Sequence, residues 1–358
     1  MQLDAANLPR LALGTSVLGA GGGGDSALAL ILALQAVAEH GPVTLVQLSE
    51  LRADMVVLPC GMVGAPTIAE ERIWNGDEGR TLCEAVTGAR GQHVDALMPF
   101  EIAGANGVLP VMWAARLGLP LLDADGMGRA FPELHQQAMR LAGIPPSPLI
   151  LTDGRGNTLT LDPADDVWAE RLARGALAGL GGVGAAALYC MSGEQARRAT
   201  IAGSLSLALA LGEAMQTDGV RERLRAVCAT LGASALIEGR IHDLERRSGG
   251  GFARGAATVV GGDGDFQRRV RLEFQSEFLL ALEDGAACAT VPDLISVLSS
   301  DTCAPIGVER LRQGQQVTVI VSPTPAAWRS PAGIAIVGPA AFGYEVEFSA
   351  LARATADA

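Results

Sequence analysis

The sequence contains no lysine: all 27 of its basic residues are arginine, in a chain of 358 residues with a formal net charge of −12. That absence excludes Schiff-base aldolases, pyridoxal phosphate or biotin attached through lysine, Ser–Lys dyads and the lysine of a phosphate loop. Aromatic residues are scarce, at 4%, with two Tyr and four Trp. Together with the negative charge, this scarcity argues against nucleic-acid binding, which stacks bases on rings within a basic groove. The six cysteines include no CxxC pair, and the nearest two, Cys288 and Cys303, lie 15 residues apart. They read as buried free thiols in a reducing compartment. The longest apolar run, Ser26 to Ala38, is shorter than the roughly 20 residues that span a bilayer. The first residues lack the pattern of a signal peptide, so a soluble cytoplasmic protein is expected.

What the chain has in excess is glycine: 45 residues, against about 25 at the usual ~7%. With 49% hydrophobic residues and few rings, its core must be Ala, Leu and Val packed around glycine-rich turns. Residues 4–20 carry helical periodicity, and Ser26–Glu39 forms an apolar helix for which Asp25 is placed as the N-cap. Strands are expected at Val43–Leu48, Asp54–Cys60, Ala96–Pro99 and Pro120–Asp123. Helices are expected between them, near Ile68–Ile73 after a turn at 61–66, and at Leu109–Gly118. This alternation predicts an α/β domain with a parallel or mixed sheet over residues 1–148.

The Pro cluster at 144–148 reads as a linker to a C-terminal α+β domain rich in strands, residues 149–358. Within it, Leu149–Leu161 suggests a hairpin turning at Asp153–Asn157. Helical patterns fill 165–231, strands dominate 235–343, and the last eight residues are expected to fray.

The run Gly19-Ala-Gly-Gly-Gly-Gly24-Asp25-Ser26 fits GxGxxG and has phosphate-loop spacing, but it follows a helix and carries Asp25 where a lysine belongs. No nucleotide is expected. Gly21, Gly22, Gly23 and Gly24 read either as an amide cradle beside Asp25 for a small polar ligand or as a plain turn.

The densest polar cluster is Asp123-Ala-Asp125-Gly-Met-Gly-Arg129-Ala-Phe-Pro-Glu133-Leu-His135, directly after a predicted strand. Strand ends of this kind hold ligands in open α/β sheets. Asp123 and Asp125 are candidates for a general-acid/base pair or, with His135, for a divalent metal; Arg129 is a candidate anion clamp. In a second strand-end loop, Glu101 and Asn106 offer an acceptor and an amide suited to an imide edge. Gly193–Met215 opens with a capping pattern at Ser192. Glu273, Gln275 and Glu277 share one strand face and read as solvated, as does the Arg-rich segment 240–271.

Several of these motifs, together with Gly251-Phe-Ala-Arg-Gly255, Glu273-Phe-Gln-Ser-Glu277, Thr290-Val-Pro-Asp-Leu-Ile295 and Ala341-Phe-Gly-Tyr344, occur in an order that resembles the S-methyl thiohydantoin desulfurase family. The likeness spans roughly residues 5–348. It implies a hydrolase acting on hydantoin-like five-membered rings, releasing methanethiol from an S-methylated thiohydantoin. The expected roles are drawn from the chemistry: Asp123 or Asp125 activates water, Glu101 and Asn106 hold the imide edge, and Arg129 pairs with a propionate-like side chain. Glu133 joins the substrate-binding set. Cys60 remains an alternative nucleophile. A second reading is a non-catalytic binding or regulatory subunit that partners a hydantoinase-type protein. The Gly- and Ala-rich apolar helices are compatible with a homo-oligomer.

Overall fold

The computed structural model describes residues 1–65, 68, 69, 71–249, 252–262 and 267–350. Pro66 of the expected turn, Glu70 of the helix near Ile68, Gly251 of one quoted motif and the expected fraying of 351–358 lie outside them. The described residues form eighteen strands. β1 is Gln2–Leu3, β2 Val43–Val46, β3 Val56–Gly64, β4 Ala96–Pro99, β5 Leu121–Leu122 and β6 Ala124–Asp125. β7 is Leu149–Thr152, β8 Thr158–Leu161, β9 Val183–Ala187, β10 Met191–Ser192 and β11 Ile201–Ala202. β12 is Ser234–Gly249, β13 Phe252–Gly261, β14 Arg268–Gln275, β15 Glu277–Glu283, β16 Ala286–Thr290, β17 Leu294–Ser299 and β18 Gln316–Ser322.

The first sheet runs β1-β2-β5-β4-β3-β9-β7-β8, with β10 also paired to β3. Its centre, β2-β5-β4-β3, is parallel and its flanks are antiparallel, so the sheet is mixed. Alternation along the strands feeds two cores. Leu58, Leu97 and Leu121 join helices Leu8–Leu18, Ser26–His40, Glu78–Arg90 and Leu109–Leu117 on one face. Val57, Met98 and Leu122 join Ala169, Ala173 and Leu177 of helix Asp166–Gly179 on the other. A sheet covered on both faces reads as near-continuous apolar strands, as β3, β4 and β9 do.

The hairpin at 149–161 forms as expected, with Thr152 opposite Thr158 and the Asp153 carboxylate accepting from the Arg155 and Asn157 amides. It does not open a second domain, however. β7, β8 and β9 complete the first sheet, so a boundary at 148 cuts through it. The Pro cluster is local turn chemistry at the entrance to a strand, and a composition shift cannot distinguish that from a linker. Residues 165–231 are helical, as expected, at Asp166–Gly179, Gly193–Ala199, Ser204–Ala214 and Val220–Leu231, with β9, β10 and β11 interposed. Ser192 forms the capping box with Gln195.

The second sheet, β16-β15-β14-β13-β12-β18-β17, is antiparallel throughout and forms an open half-barrel around its own core. Bulges in β12, between β14 and β15 and between β15 and β16 give it curvature. Strand ends at Ser322, earlier than expected, and short helical segments follow at Ala326–Arg329, Pro331–Val337 and Pro339–Phe342. Pro323, Pro325, Pro331 and Pro339 remove the amide donors that a ladder needs.

The two sheets are joined through the loop after β6. Arg129, 1% exposed, donates from Nη1 to the carbonyls of Pro292 (3.2 Å) and Asp293 (2.6 Å), from Nη2 to Phe278 O (3.2 Å) and from Nε to Ala130 O (2.9 Å). Its guanidinium stacks 5.0 Å above the Phe131 ring, which meets Trp328 edge-on. Trp328 Nε1 in turn donates to Met127 O at 2.8 Å. Burial lowers the guanidinium to about 10, still a cation at neutral pH, and the neighbouring Glu277, Asp293 and Glu101 oppose that fall. Arg129→Ala strips four carbonyls of their donor and leaves buried acids without their cation. Denaturant unfolding should therefore show a loss of about 3–5 kcal/mol, and Arg129→Lys should recover only part of it because an ammonium lacks the planar fork.

Candidate functional site

A cleft of about 600 Å³, open to solvent, forms where four loops meet: the glycine run, the loop after β4, the loop after β6 and the β14–β15 turn. β4 is a parallel strand of the first sheet, so the residues after it emerge at a carboxyl edge, where such sheets bind ligands. The loop is anchored by Phe100 N donating to Cys60 O at 3.0 Å, and it turns at Gly104, whose φ is +54°.

Asn106 is committed to the protein. Its Oδ1 accepts from Met62 N (2.6 Å), and its Nδ2 donates to Met62 O (3.2 Å) and to Glu101 Oε2 (2.6 Å). Both amide protons are therefore used, and the expected contact of Asn106 with an imide edge gives way to a positioning role for Glu101. Glu101 is 5% exposed and faces the cleft. Burial pushes its carboxyl up to about 8; the nearby Asp125 adds to the rise, and the Asn106 hydrogen bond opposes it.

Asp125 lies behind the cleft. Its Oδ2 accepts from the amides of Ile102 (2.9 Å), Met127 (3.0 Å) and Gly128 (2.8 Å), tying the two loops together. Its side chain is fully buried, and burial raises it to about 6 against those three amides. Asp123 accepts from Gln47 Nε2 (3.0 Å) and from the Leu205 and Ser206 amides (2.9 and 3.0 Å), which caps helix Ser204–Ala214. The two aspartates share no partner, and neither lines the cleft, so the expected acid/base pair is not assembled there.

His135 Nε2 sits 3.4 Å from Glu133 Oε2, and burial holds its imidazole down to about 4, so it is neutral. Among the described residues, no three of His, Cys, Asp and Glu converge as a metal site, and Asp123, Asp125 and His135 do not. Arg129 is also absent from the cleft, because its donors are held by the backbone of the second sheet. Cys60 is buried in β3, and burial raises its thiol far above the usual range, which disfavours a thiolate nucleophile.

The glycine run works by close approach. Gly22 N donates within the loop to Gly19 O (2.7 Å). The carbonyls of Ala20, Gly21 and Gly23 accept from the amides of Phe278 (2.7 Å), Val308 (2.9 Å) and Ala105 (2.9 Å). A methyl group on Gly22 would lie 2.0 Å from Glu277 Oε1, so a glycine there lets that carboxyl pack against the backbone. Gly23 and Gly24 line the cleft, whereas Gly21, Gly22 and Asp25 face other space. Asp25 caps its helix through Ala27 N (2.8 Å) and pairs with Arg310.

Two residues of the cleft escaped the sequence. Glu277 was expected on a solvated face with Glu273 and Gln275, but Ser276, with φ +60°, breaks that face. Glu277 then starts β15 at 4% exposure, with no hydrogen-bond partner for Oε2 among the described residues. Burial, then the Glu101 charge, raise its carboxyl well above the usual range, while Arg129 opposes this. The cation at the cleft is Arg174, which pairs with Glu170 (2.5 Å), donates from Nη2 to Pro132 O (2.9 Å) and stacks 4.5 Å over Phe252. The only hint in the sequence was the Glu170–Arg174 spacing, which on a helix usually means a solvated pair. Glu133 lines the same wall, and burial together with Glu170 raises its carboxyl.

Because Glu101 titrates near 8 when folded and near 4.5 when unfolded, the folded state binds the extra proton between those values. Stability should therefore fall as pH rises through that window. Glu101→Gln removes the effect: its Tm should exceed that of the parent at pH 8 and approach it near pH 4.5, a trend readable by calorimetry. Equal pH slopes for the two proteins would contradict the raised carboxyl.

Comparison with known proteins agrees with this architecture. Residues 6–163 match the family model described as "S-Me-THD-like, N-terminal domain", and residues 164–351 match "S-Me-THD-like, C-terminal domain". A crystal structure of a protein from Chromobacterium violaceum is similar at 25% identity with a TM-score of 0.79, covering 98% of this chain and 100% of that one. No curated protein matches the sequence. No helix among the described residues is long and apolar enough to cross a membrane. With both family models matched in order across nearly its whole length, the chain belongs to the S-Me-THD-like family.

Proposed function

We propose that this protein is a hydrolase that cleaves the exocyclic carbon–sulfur bond of an S-methyl thiohydantoin or a closely related ring, with water as nucleophile. The observation that carries this reading is the pair of buried carboxyls, Glu101 and Glu277, on one cleft, both raised by burial, with the Glu101 charge adding to the rise of Glu277. Neighbouring buried acids disfavour ionising together, the arrangement that separates acid and base roles in carboxylate pairs. Arg129 compensates one negative charge of the group.

The ionised member accepts a proton from water as its oxygen bonds to the ring carbon that carries sulfur. The protonated member donates to the departing sulfur. The C–S bond breaks and methanethiol leaves with the proton of the protonated member. The ionised member keeps one proton of the water, the other passes to the ring nitrogen as the C=N bond becomes C=O, and the two carboxyls have exchanged protonation states. Atoms and charge balance without a redox partner. Asn106 fixes Glu101 by donating to its Oε2, Asp125 fixes the two loops, and both acids are buried in the wall of the cleft.

The purified protein should release methanethiol from S-methyl thiohydantoin, as followed with a thiol reagent, and the rate should fall as pH rises past about 8, where Glu101 loses its proton. Glu101→Gln should lower kcat at least about 100-fold, the usual scale for a positioned acid or base. An unchanged rate in a folded variant refutes the role of Glu101. Binding of the ring without thiol release by the parent protein would favour the non-catalytic subunit instead.

A further inference from the structure

A second pocket of about 640 Å³, open to solvent like the cleft, adjoins it, lined by Leu28, Ala29, Met62, Ala69, Trp74 and Ala105 and bordered by the Asp25–Arg310 ion pair. Three of these positions are alanine, around a volume that larger aliphatic side chains would fill. The wall is fixed: Trp74 is 4% exposed, the Arg72 guanidinium lies 5.0 Å from its ring centre, and Arg72 Nη1 donates to Val183 O at 2.8 Å. An apolar cavity with an aromatic wall and one polar corner has the make-up of a small-molecule pocket.

The cavity borders the cleft. Met62 lines both, and Gly24 stands at the divide with φ +76°. A Cβ on Gly24 would sit 3.6 Å from both Met62 Cε and Ala105 Cβ, which places Gly24 against the side chains between the two spaces. Asn106, next to Ala105, ties the Met62 backbone to Glu101. The acid and the mouth of the cavity are therefore held by one residue.

We propose that this cavity receives an apolar substituent of the ring, so that the substrate is a thiohydantoin bearing a bulky aliphatic or aryl group. The ring sits at Glu101 and the substituent passes Met62 toward Trp74. This inference rests on the hydrolase reading and narrows its substrate class. Among the described residues that line it, the charged groups are Asp25 and Arg310, which pair with each other, and the rest are apolar.

The test compares kcat/KM for the S-methyl thiohydantoins of 5-benzyl and of unsubstituted ring, read by methanethiol release. The parent protein should favour the benzyl ring at least about tenfold, the scale set by filling an apolar pocket. Ala69→Leu and Ala105→Leu, each checked for folding by circular dichroism, should bring the ratio toward one by occupying the cavity. Equal turnover of both rings by the parent overturns the inference and leaves the hydrolase reading intact. A preference that survives in either folded variant overturns the cavity as its cause. Turnover of neither ring defeats the hydrolase reading, and this inference with it.

Discussion

One buried cation among several buried acids sets the terms for this molecule. Arg129 lies out of water beside Glu277, Asp293 and Glu101, and its donors are held by carbonyls of the second sheet. An ionised side chain in the interior is costly unless it is paired and hydrogen-bonded. Arg129 therefore has to be met by both sheets, and meeting it locks their relative placement. The same burial sets the protonation of the cleft. Burial first, then neighbouring acids, raises Glu101 and Glu277, and Arg129 opposes that rise only in part, so both carboxyls favour the protonated form. Stability and chemistry thus draw on the same charge balance.

Small residues make that crowding feasible. Glycine at 22 admits the Glu277 carboxyl against the backbone, and the loop's carbonyls take the amides of Phe278 and Val308 from the other domain. The run is a joint between the two domains, and its placement next to the cleft brings an acid from the second sheet to face an acid from the first. Asp125, which tethers two loops through three amides, supplies the rigidity behind Glu101.

Much of the fold was legible because its signals are local. Alternating helical and strand periods gave the mixed α/β layer, Asp-Gly and Gly-Asn gave the 149–161 hairpin, and Ser192 with Gln195 gave the capping box. The domain boundary was not legible, since strand pairing between residues 56–64 and 183–187 is a long-range fact that no local pattern carries. The site was half legible. Glu101, Asn106, Glu133, Gly23 and Gly24 do line one cleft. Asp123, Asp125 and Arg129 drew attention as polar residues clustered after a strand, and polar they are, but Asp123, Arg129 and Asp125 Oδ2 are hydrogen-bonded within the protein, Asp125 Oδ1 is buried with no partner among the described residues, and none of the three lines the cleft. Glu277 hid behind a single positive φ at Ser276, which shifted it from an apparent solvated face to the interior.

The central claim is that Glu101 keeps its proton near neutral pH in the folded protein. Carbon-13 NMR of the glutamate side-chain carboxyls across pH 4 to 10 tests it directly, with Glu101→Gln to assign the signal. The account predicts one resonance titrating near 8 that vanishes in the variant. A spectrum in which the signal lost on substitution titrates near the ordinary 4.5 would contradict it.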